Sequence, residues 1–215
     1  TNTFKRVGHY PVVKTICLDT DNNLLLGTDN GLFLYEGTNT RMIQHNAQQP
    51  NSLTNNIIWS SFMDKDGNMW FGTNHGLSMS PSHRGITYRP IYQFTGSTQG
   101  NIFNKLLRDS KGRYWLGGDN GLIQTNTLDA IDPNVRWYTM GNPAYPLPHN
   151  QVRNLYEDKD YHIWISTDFG LIRYDEKTAQ LQHYALRNQA GTHQSTWAFA
   201  VLEDKIGNLW VSSYN

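Results

Sequence analysis

The sequence predicts an all-β fold, a β-propeller with four antiparallel strands in each blade, and three observations support this prediction. The same sequence phrase recurs five times at intervals of about 45 residues, which is a period typical of propeller blades. Short apolar runs alternate with Gly, Asn and Asp turn signals. No stretch has the sustained apolar period of an amphipathic helix, so we expect essentially no helix. Each copy is centred on one large apolar residue: Leu25, Trp70, Trp115, Trp164 and Trp210.

Each copy opens with an Asp that begins a tight turn between two strands. In the second copy the turn runs from Asp64 to Gly67, where glycine supplies the positive φ that a tight hairpin needs. Asn22 stands at the glycine position of the first copy and tolerates the same conformation. Tyr161 stands there in the fourth copy and fits it poorly. We therefore expect a locally altered turn at Tyr161.

The strand that follows the turn is apolar on both faces, as Met69 and Phe71 show around Trp70, so both faces should be buried. An inner strand precedes each Asp, and a second Gly turn leads into a third strand and a weaker outer strand. Two positions after the central residue the side chain is always small, as expected where another sheet comes close. These small residues are Gly27, Gly72, Gly117, Ser166 and Ser212.

We treat residues 1–215 as one partial propeller. The predicted blades are 8–45, 52–92, 99–138, 148–184 and an incomplete one at 195–215, with 3–7 as an outer strand. Polar segments at 46–56, 141–151 and 188–196 should cross from the rim of one blade to the axis of the next. Two explanations fit the incomplete set: a fragment of a larger propeller, or termini that pair to close the ring approximately. We favour the fragment, because propellers usually close with a complete final blade, and we expect its open strand edges to allow self-association.

Composition excludes several classes of function. Eighteen basic residues balance eighteen acidic ones, which gives no reason to expect a nucleic-acid partner. The longest apolar run is 198–202, so no membrane contact is predicted. The single cysteine, Cys17, cannot form an intramolecular disulfide. The eight histidines show no metal-binding spacing, and no nucleophile elbow or phosphate loop is present. We expect no cofactor and no metal, and assign no catalytic residue.

Candidate ligand-binding residues are those that differ from blade to blade while their neighbours repeat. The repeated Asp, Trp and Gly residues are assigned to the scaffold. Counting five residues back from each repeat Asp gives Lys14, Trp59, Asn104, Arg153 and Phe199. Aromatic faces can stack on sugars, an amide can bind hydroxyl groups, and cations can pair with a uronate or sulfate. The alternative is that these residues only line the central channel. His149, Asn150 and Trp197 are second-rank candidates.

The phrase from Asp64 to Leu77, Asp-x-x-Gly-Asn-x-Trp-Phe-Gly-Thr-x-x-Gly-Leu, resembles the two-component regulator propeller repeat. The resemblance covers nearly the whole chain. It implies a fragment of a seven-bladed propeller from the periplasmic sensor of a hybrid two-component system in polysaccharide-degrading gut bacteria. Such receptors continue into a β-sandwich, a membrane helix and a histidine kinase, none of which this chain contains.

The resemblance implies an extracytoplasmic, ligand-sensing module that recognises an oligosaccharide and has no enzymatic activity of its own. Two other function classes remain open from the residues alone. One is a propeller enzyme acting on glycans, a lyase or glycosidase, since propeller enzymes can assemble scattered polar residues near the axis. The other is a protein-interaction scaffold. Turnover of a glycan would identify the first, and binding of a protein without a small ligand the second.

Overall fold

The computed structural model describes residues 8–81, 102–128, 132–187, 191 and 197–214, and the backbone of 89–91 and 194–195. All regular structure in these residues is β-strand, as predicted. The described part of the chain contains no helix long and apolar enough to cross a bilayer.

Four sheets have four strands each, and the strands are numbered here in chain order. The first sheet contains β1 (Val13–Leu18), β2 (Leu24–Thr28), β3 (Gly31–Glu36) and β4 (Asn39–Ile43). The second contains β5 (Ile58–Met63), β6 (Met69–Thr73), β7 (Gly76–Ser80) and β8 (Arg89–Ile91). The third contains β9 (Phe103–Arg108), β10 (Tyr114–Gly118), β11 (Gly121–Thr125) and β12 (Arg136–Tyr138). The fourth contains β13 (Val152–Glu157), β14 (Ile163–Thr167), β15 (Gly170–Asp175) and β16 (Gln180–Tyr184).

Two smaller sheets complete the described fold. One is a hairpin of β17 (Leu186–Arg187) and β18 (Gln194–Ser195), and the other joins β19 (Ala198–Glu203) to β20 (Leu209–Ser213). Within each larger sheet the strands follow chain order and pair antiparallel. The first strands of successive sheets, β1, β5, β9, β13 and β19, pack side by side. The sheets are therefore propeller blades with these strands innermost.

One sequence expectation differs from the structure. The turn at Tyr161 is not altered: its φ is 67°, close to the 79° of Gly67, and its N–H donates to Asp158 O at 3.0 Å. The turn's hydrogen bonds hold this tyrosine in the left-handed region. The expected outer strand at 3–7 lies outside the described residues.

One carboxylate organises each turn and the strand after it. Asp64 Oδ1 accepts the backbone N–H groups of Asp66 and Asn68, both at 2.9 Å. Its other oxygen, Oδ2, accepts the Asn68 amide and the Trp70 indole N–H, again at 2.9 Å each. The Asp-to-indole bond recurs at 2.8, 2.7 and 2.9 Å in the later copies, in the pairs Asp109–Trp115, Asp158–Trp164 and Asp204–Trp210. The repeated Asp is therefore a scaffold residue, as predicted.

The central residue of each blade packs against the next blade. Trp115 is fully buried and contacts Tyr174 of the fourth blade in an edge-to-face arrangement, with ring centroids 5.0 Å apart. Leu25, Trp70 and Trp164 are likewise buried in clusters that include residues of the following sheet. Trp210 makes the same bond to its Asp but is 63% exposed, since no described sheet covers that face. Interblade packing, and not the turn alone, buries the indole.

Small residues allow this packing near the axis. A Cβ on Gly72 would lie 2.5 Å from Phe103 O, and one on Gly117 would lie 2.4 Å from Val152 Cγ1. Both contacts reach the inner strand of the next blade. The expectation of a close neighbouring sheet at this position is thereby confirmed.

Replacing Trp115 with Ala should lower the free energy of unfolding by about 3–5 kcal/mol, because it opens a cavity and leaves Asp109 without its indole partner. Urea unfolding followed by circular dichroism measures this. Trp210→Ala is the matched control: it removes the same hydrogen bond from an exposed residue and should cost about 1 kcal/mol or less. Equal losses of unfolding free energy in the two variants would contradict the conclusion that burial between blades is the source of this stability.

Acid should destabilise the blades through their turn carboxylates. Burial opposes ionisation of Asp64 and Asp158, but hydrogen bonds from their indoles and turn groups outweigh it and lower both pKa values below the ordinary 3.8. The Trp210 indole likewise lowers the pKa of Asp204 to about 2. A lowered folded-state pKa contributes stability above the unfolded-state pKa, and that contribution is lost as pH falls through the folded-state value.

We expect the free energy of unfolding to be flat above about pH 5 and to fall steeply below about pH 4. Denaturant titrations from pH 2 to 6 measure the slope. Asp64→Asn cannot ionise and should flatten the slope, whereas Asp66→Asn, an exposed change in the same turn, should leave it unchanged. A slope that Asp64→Asn does not reduce would refute this account.

Candidate ligand-binding site

A β-bulge lies at the same place in every inner strand. Where β1 pairs with β2, Val13 opposes Thr28 and Thr15 opposes Gly27, so Lys14 has no partner in the ladder. The corresponding extra residue in β5, β9, β13 and β19 is Trp59, Asn104, Arg153 and Phe199. A bulge leaves its extra residue unpaired and redirects its side chain. All five candidates from the sequence are bulge residues.

A hairpin turn lies beside the bulge in each of the four four-stranded blades. The N–H of Asp119, the first residue of the β10–β11 turn, donates to Ile102 O at 3.3 Å, which places this turn over the entrance of β9. Asp29, Asn74 and Asp168 make the equivalent backbone bond in their blades. In the fourth blade Thr167 Oγ1 fixes the turn by donating to Gly170 O at 3.0 Å.

The bulge side chain and the turn side chain, 15 residues apart, are hydrogen-bonded in three consecutive blades. Trp59 Nε1 donates to Asn74 Oδ1. Asn104 Nδ2 donates to Asp119 Oδ1 at 3.0 Å. The Arg153 guanidinium makes a two-pronged ion pair with Asp168, through Nε and through Nη2 at 2.9 Å. The variable residues are thus held in fixed orientations around the axis.

These side chains surround one cavity of about 320 Å³ at the end of the inner strands. Its lining residues are Trp59, Asn104, Asp119, Gln151, Arg153 and Phe199. Four of the five predicted residues line it. Lys14 lies beside it, with its ammonium 3.9 Å from the centroid of the Trp59 ring. The volume is at the small end of the range for ligand pockets, about 300–1,000 Å³.

Of the two charged residues that line the cavity, Arg153 has an ion-pair partner and Asp119 has none among the described residues. Arg153 is neutralised by Asp168 and lies over the rings of Phe199 and Trp197, at 5.0 and 5.4 Å. Asp119 Oδ1 accepts from Asn104 and Gln151, and no cation of the described residues lies within ion-pair distance of Asp119. The cavity therefore presents a carboxylate, two amides and aromatic faces, chemistry suited to hydroxyl groups.

The second-rank candidates have different surroundings. Trp197 is 41% exposed and packs near Phe199, with ring centroids 6.1 Å apart, at the edge of the cavity. His149 Nδ1 accepts the backbone N–H of Gln151 at 3.1 Å and so positions a lining residue from behind. Asn150 stabilises the segment 141–151 that connects two blades, because its Oδ1 accepts a hydrogen bond from the Met140 N–H at 2.8 Å. It does not line the cavity.

Sequence reasoning missed Asp119 and Gln151 as lining residues. Asp119 belongs to the second Gly turn of its blade, to which the sequence pattern assigned only a turn-forming role. The constant spacing of 15 residues between each bulge residue and each turn residue was the available signal. Gln151 stands one residue before an inner strand, at a position that carried no chemical signal. No three His, Cys, Asp or Glu side chains of the described ranges come close enough together to hold a metal ion.

The comparisons agree with this architecture. The two component regulator propeller family matches residues 52–75 and 146–169. The extracellular domain of a protein described as a hybrid two-component system of B. thetaiotaomicron is 43% identical, with a TM-score of 0.55 over 94% of this chain and 27% of that one. No curated protein matches the chain.

More distant structures share the fold alone. The extracellular domain of a second hybrid two-component system of B. thetaiotaomicron is 17% identical, with a TM-score of 0.65 over 97% of this chain and 34% of that one. Virginiamycin B lyase from Staphylococcus aureus is 12% identical, with a TM-score of 0.62 over 91% of this chain and 61% of the enzyme. The chain thus spans about a quarter to a third of the two-component relatives. Two of its repeats match the two component regulator propeller family, and its fold is that of the extracellular domains of hybrid two-component systems.

Proposed function

We propose that the chain is a ligand-sensing module in the extracytoplasmic region of a hybrid two-component receptor, and that an oligosaccharide binds in its axial cavity. The observation that carries the proposal is the convergence of bulge residues from four blades on one cavity. The 43% identity to an extracellular domain of a hybrid two-component system supports the receptor context and a periplasmic location. Signalling requires a histidine kinase, which this chain would reach through other parts of its receptor.

The lining favours a neutral sugar over a strongly anionic one. Asp119 lacks a cationic partner among the described residues and would repel a sulfate or uronate. Arg153 is already paired with Asp168, so binding an anion there would require breaking that pair. Asp119 Oδ2 accepts no hydrogen bond from the described residues and is free to accept a hydroxyl. The aromatic rings at the rim could stack on a pyranose.

A panel of neutral oligosaccharides tests this proposal by thermal unfolding. A ligand present at about 100 times its Kd should raise the free energy of unfolding by about 2.7 kcal/mol, which raises the melting temperature by several degrees. Asp119→Ala should weaken binding at least about tenfold, because the ligand loses a charge-assisted hydrogen bond. Asn120→Ala, in the same turn but outside the lining, is the control.

Chromatography of each saccharide after incubation separates binding from catalysis. We expect the saccharide to be recovered intact. Product formation that depends on Arg153 or Asp119 would replace the sensor proposal with an enzyme. Binding of a protein partner without any saccharide effect would favour the interaction scaffold. Self-association through open blade edges stays a prediction, which sedimentation of the chain would check.

A further inference from the structure

A second cavity, of about 290 Å³, lies between the third and fourth blades, away from the axis. Its lining comes from the ends of β11 and β15, the start of β12 and the turns beside them: Arg113, Gln124, Thr125, Asn126, Asn134, Arg136, Tyr174, Glu176 and Ala179. These segments lie at the opposite ends of the strands from the hairpin turns that border the axial cavity. We name this cavity the interblade groove.

Arg136 is the unusual group in the interblade groove. No carboxylate of the described residues lies within ion-pair distance of it, although it is half-buried. Its Nη1 donates to Tyr174 Oη at 3.1 Å, and its guanidinium lies 5.8 Å from the ring centroid of Tyr145. The neighbouring Tyr138 phenol raises the pKa of Arg136, so it carries its charge throughout the accessible pH range. A guanidinium has five N–H donors, so bonds to phenols leave donors available.

The other charged residues that line the groove, Arg113 and Glu176, are already paired. Arg113 donates to Asp109 at 2.7 Å and forms an ion pair with Glu176. Lys111 pairs with the same Glu176 at 2.6 Å. Asp132, an acid beside the groove, has no ion pair among the described residues, and its carboxylate is held by the backbone N–H groups of Asn126 and Asn134 at 2.7 and 2.8 Å. Arg136 is therefore the cation that an incoming anion can pair with.

The tyrosines and the turn that border the interblade groove are fixed by contacts within the protein itself. Tyr138 and Tyr174 are buried and belong to the core cluster around Trp115. Asp175 Oδ1 accepts the N–H groups of Lys177 and Thr178, both at 2.9 Å, and so fixes the β15–β16 turn. A preorganised planar fork of donors beside amide groups suits an oxyanion.

From this arrangement we infer that the interblade groove is a second binding site, for a small carboxylate- or sulfate-bearing molecule that pairs with Arg136. The site differs from the axial cavity in place and in charge. Its ligand is anionic, whereas the axial cavity favours neutral hydroxyl groups. The two sites do not depend on each other, so either can fail alone.

Nuclear magnetic resonance of the Arg136 side chain tests the inference directly. The Nε–Hε signal of Arg136, assigned by its loss in Arg136→Lys, is followed during titration with sulfate, glucuronate and glucose. Sulfate or glucuronate should shift the signal saturably, and glucose should not. A stronger response to glucuronate would identify a sugar acid as the ligand class, and a response to sulfate alone would identify an inorganic oxyanion.

Variants complete the test. Arg136→Gln should weaken anion binding at least about tenfold, since it removes a charge-assisted hydrogen bond. Arg173→Gln is the matched control, because Arg173 also lies near a tyrosine ring, that of Tyr184, and also donates to a neutral side chain, Gln182, but lies outside the groove. Asp119→Ala should leave anion binding intact. If neither anion shifts the Arg136 signal, or if Arg136→Gln binds as the unchanged chain does, the inference is wrong.

Discussion

The hydrogen bonds of one carboxylate per blade underlie the rest of this structure. Each repeat Asp holds its own turn through backbone N–H groups, and in four of the five copies it also fixes the indole six residues later, as Asp109 fixes Trp115 at 2.8 Å. The indole so oriented becomes the surface against which the next blade packs. Local turn formation and long-range packing are therefore coupled through a single side chain. Trp210 separates the two effects, because it keeps the hydrogen bond and lacks the burial.

The same architecture positions the axial cavity. Interblade packing brings the inner strands close together, with Gly72 and Gly117 leaving room for the neighbouring strand. The bulge in each inner strand then sets one side chain apart from the ladder at the same height in every blade. A turn side chain fixes it in three blades, as Asp168 fixes Arg153. The cavity is thus a product of repetition in the backbone and variation in the bulge side chains, four of which line it.

Much of this followed from the sequence, because repeats and turns are local patterns. The blade strands, the scaffold role of the Asp and the five variable positions near the axis could all be inferred from spacing. The bulge could not, since it depends on the register between two strands. Asp119 was missed because a residue can serve both turn and cavity. Tyr161 was misjudged because hydrogen bonds of the turn outweigh the steric preference of one residue.

The repeated bulge has a consequence for how specificity could change. A side chain that takes no part in ladder pairing can be exchanged without breaking a hydrogen bond of the ladder. Selectivity for a new ligand could then be acquired one blade at a time, by substitution at Lys14, Trp59 or their counterparts. The bulge residues and the ladder-forming residues are different positions of the same repeat, so a library randomised only at the bulges would retain the strand pairing.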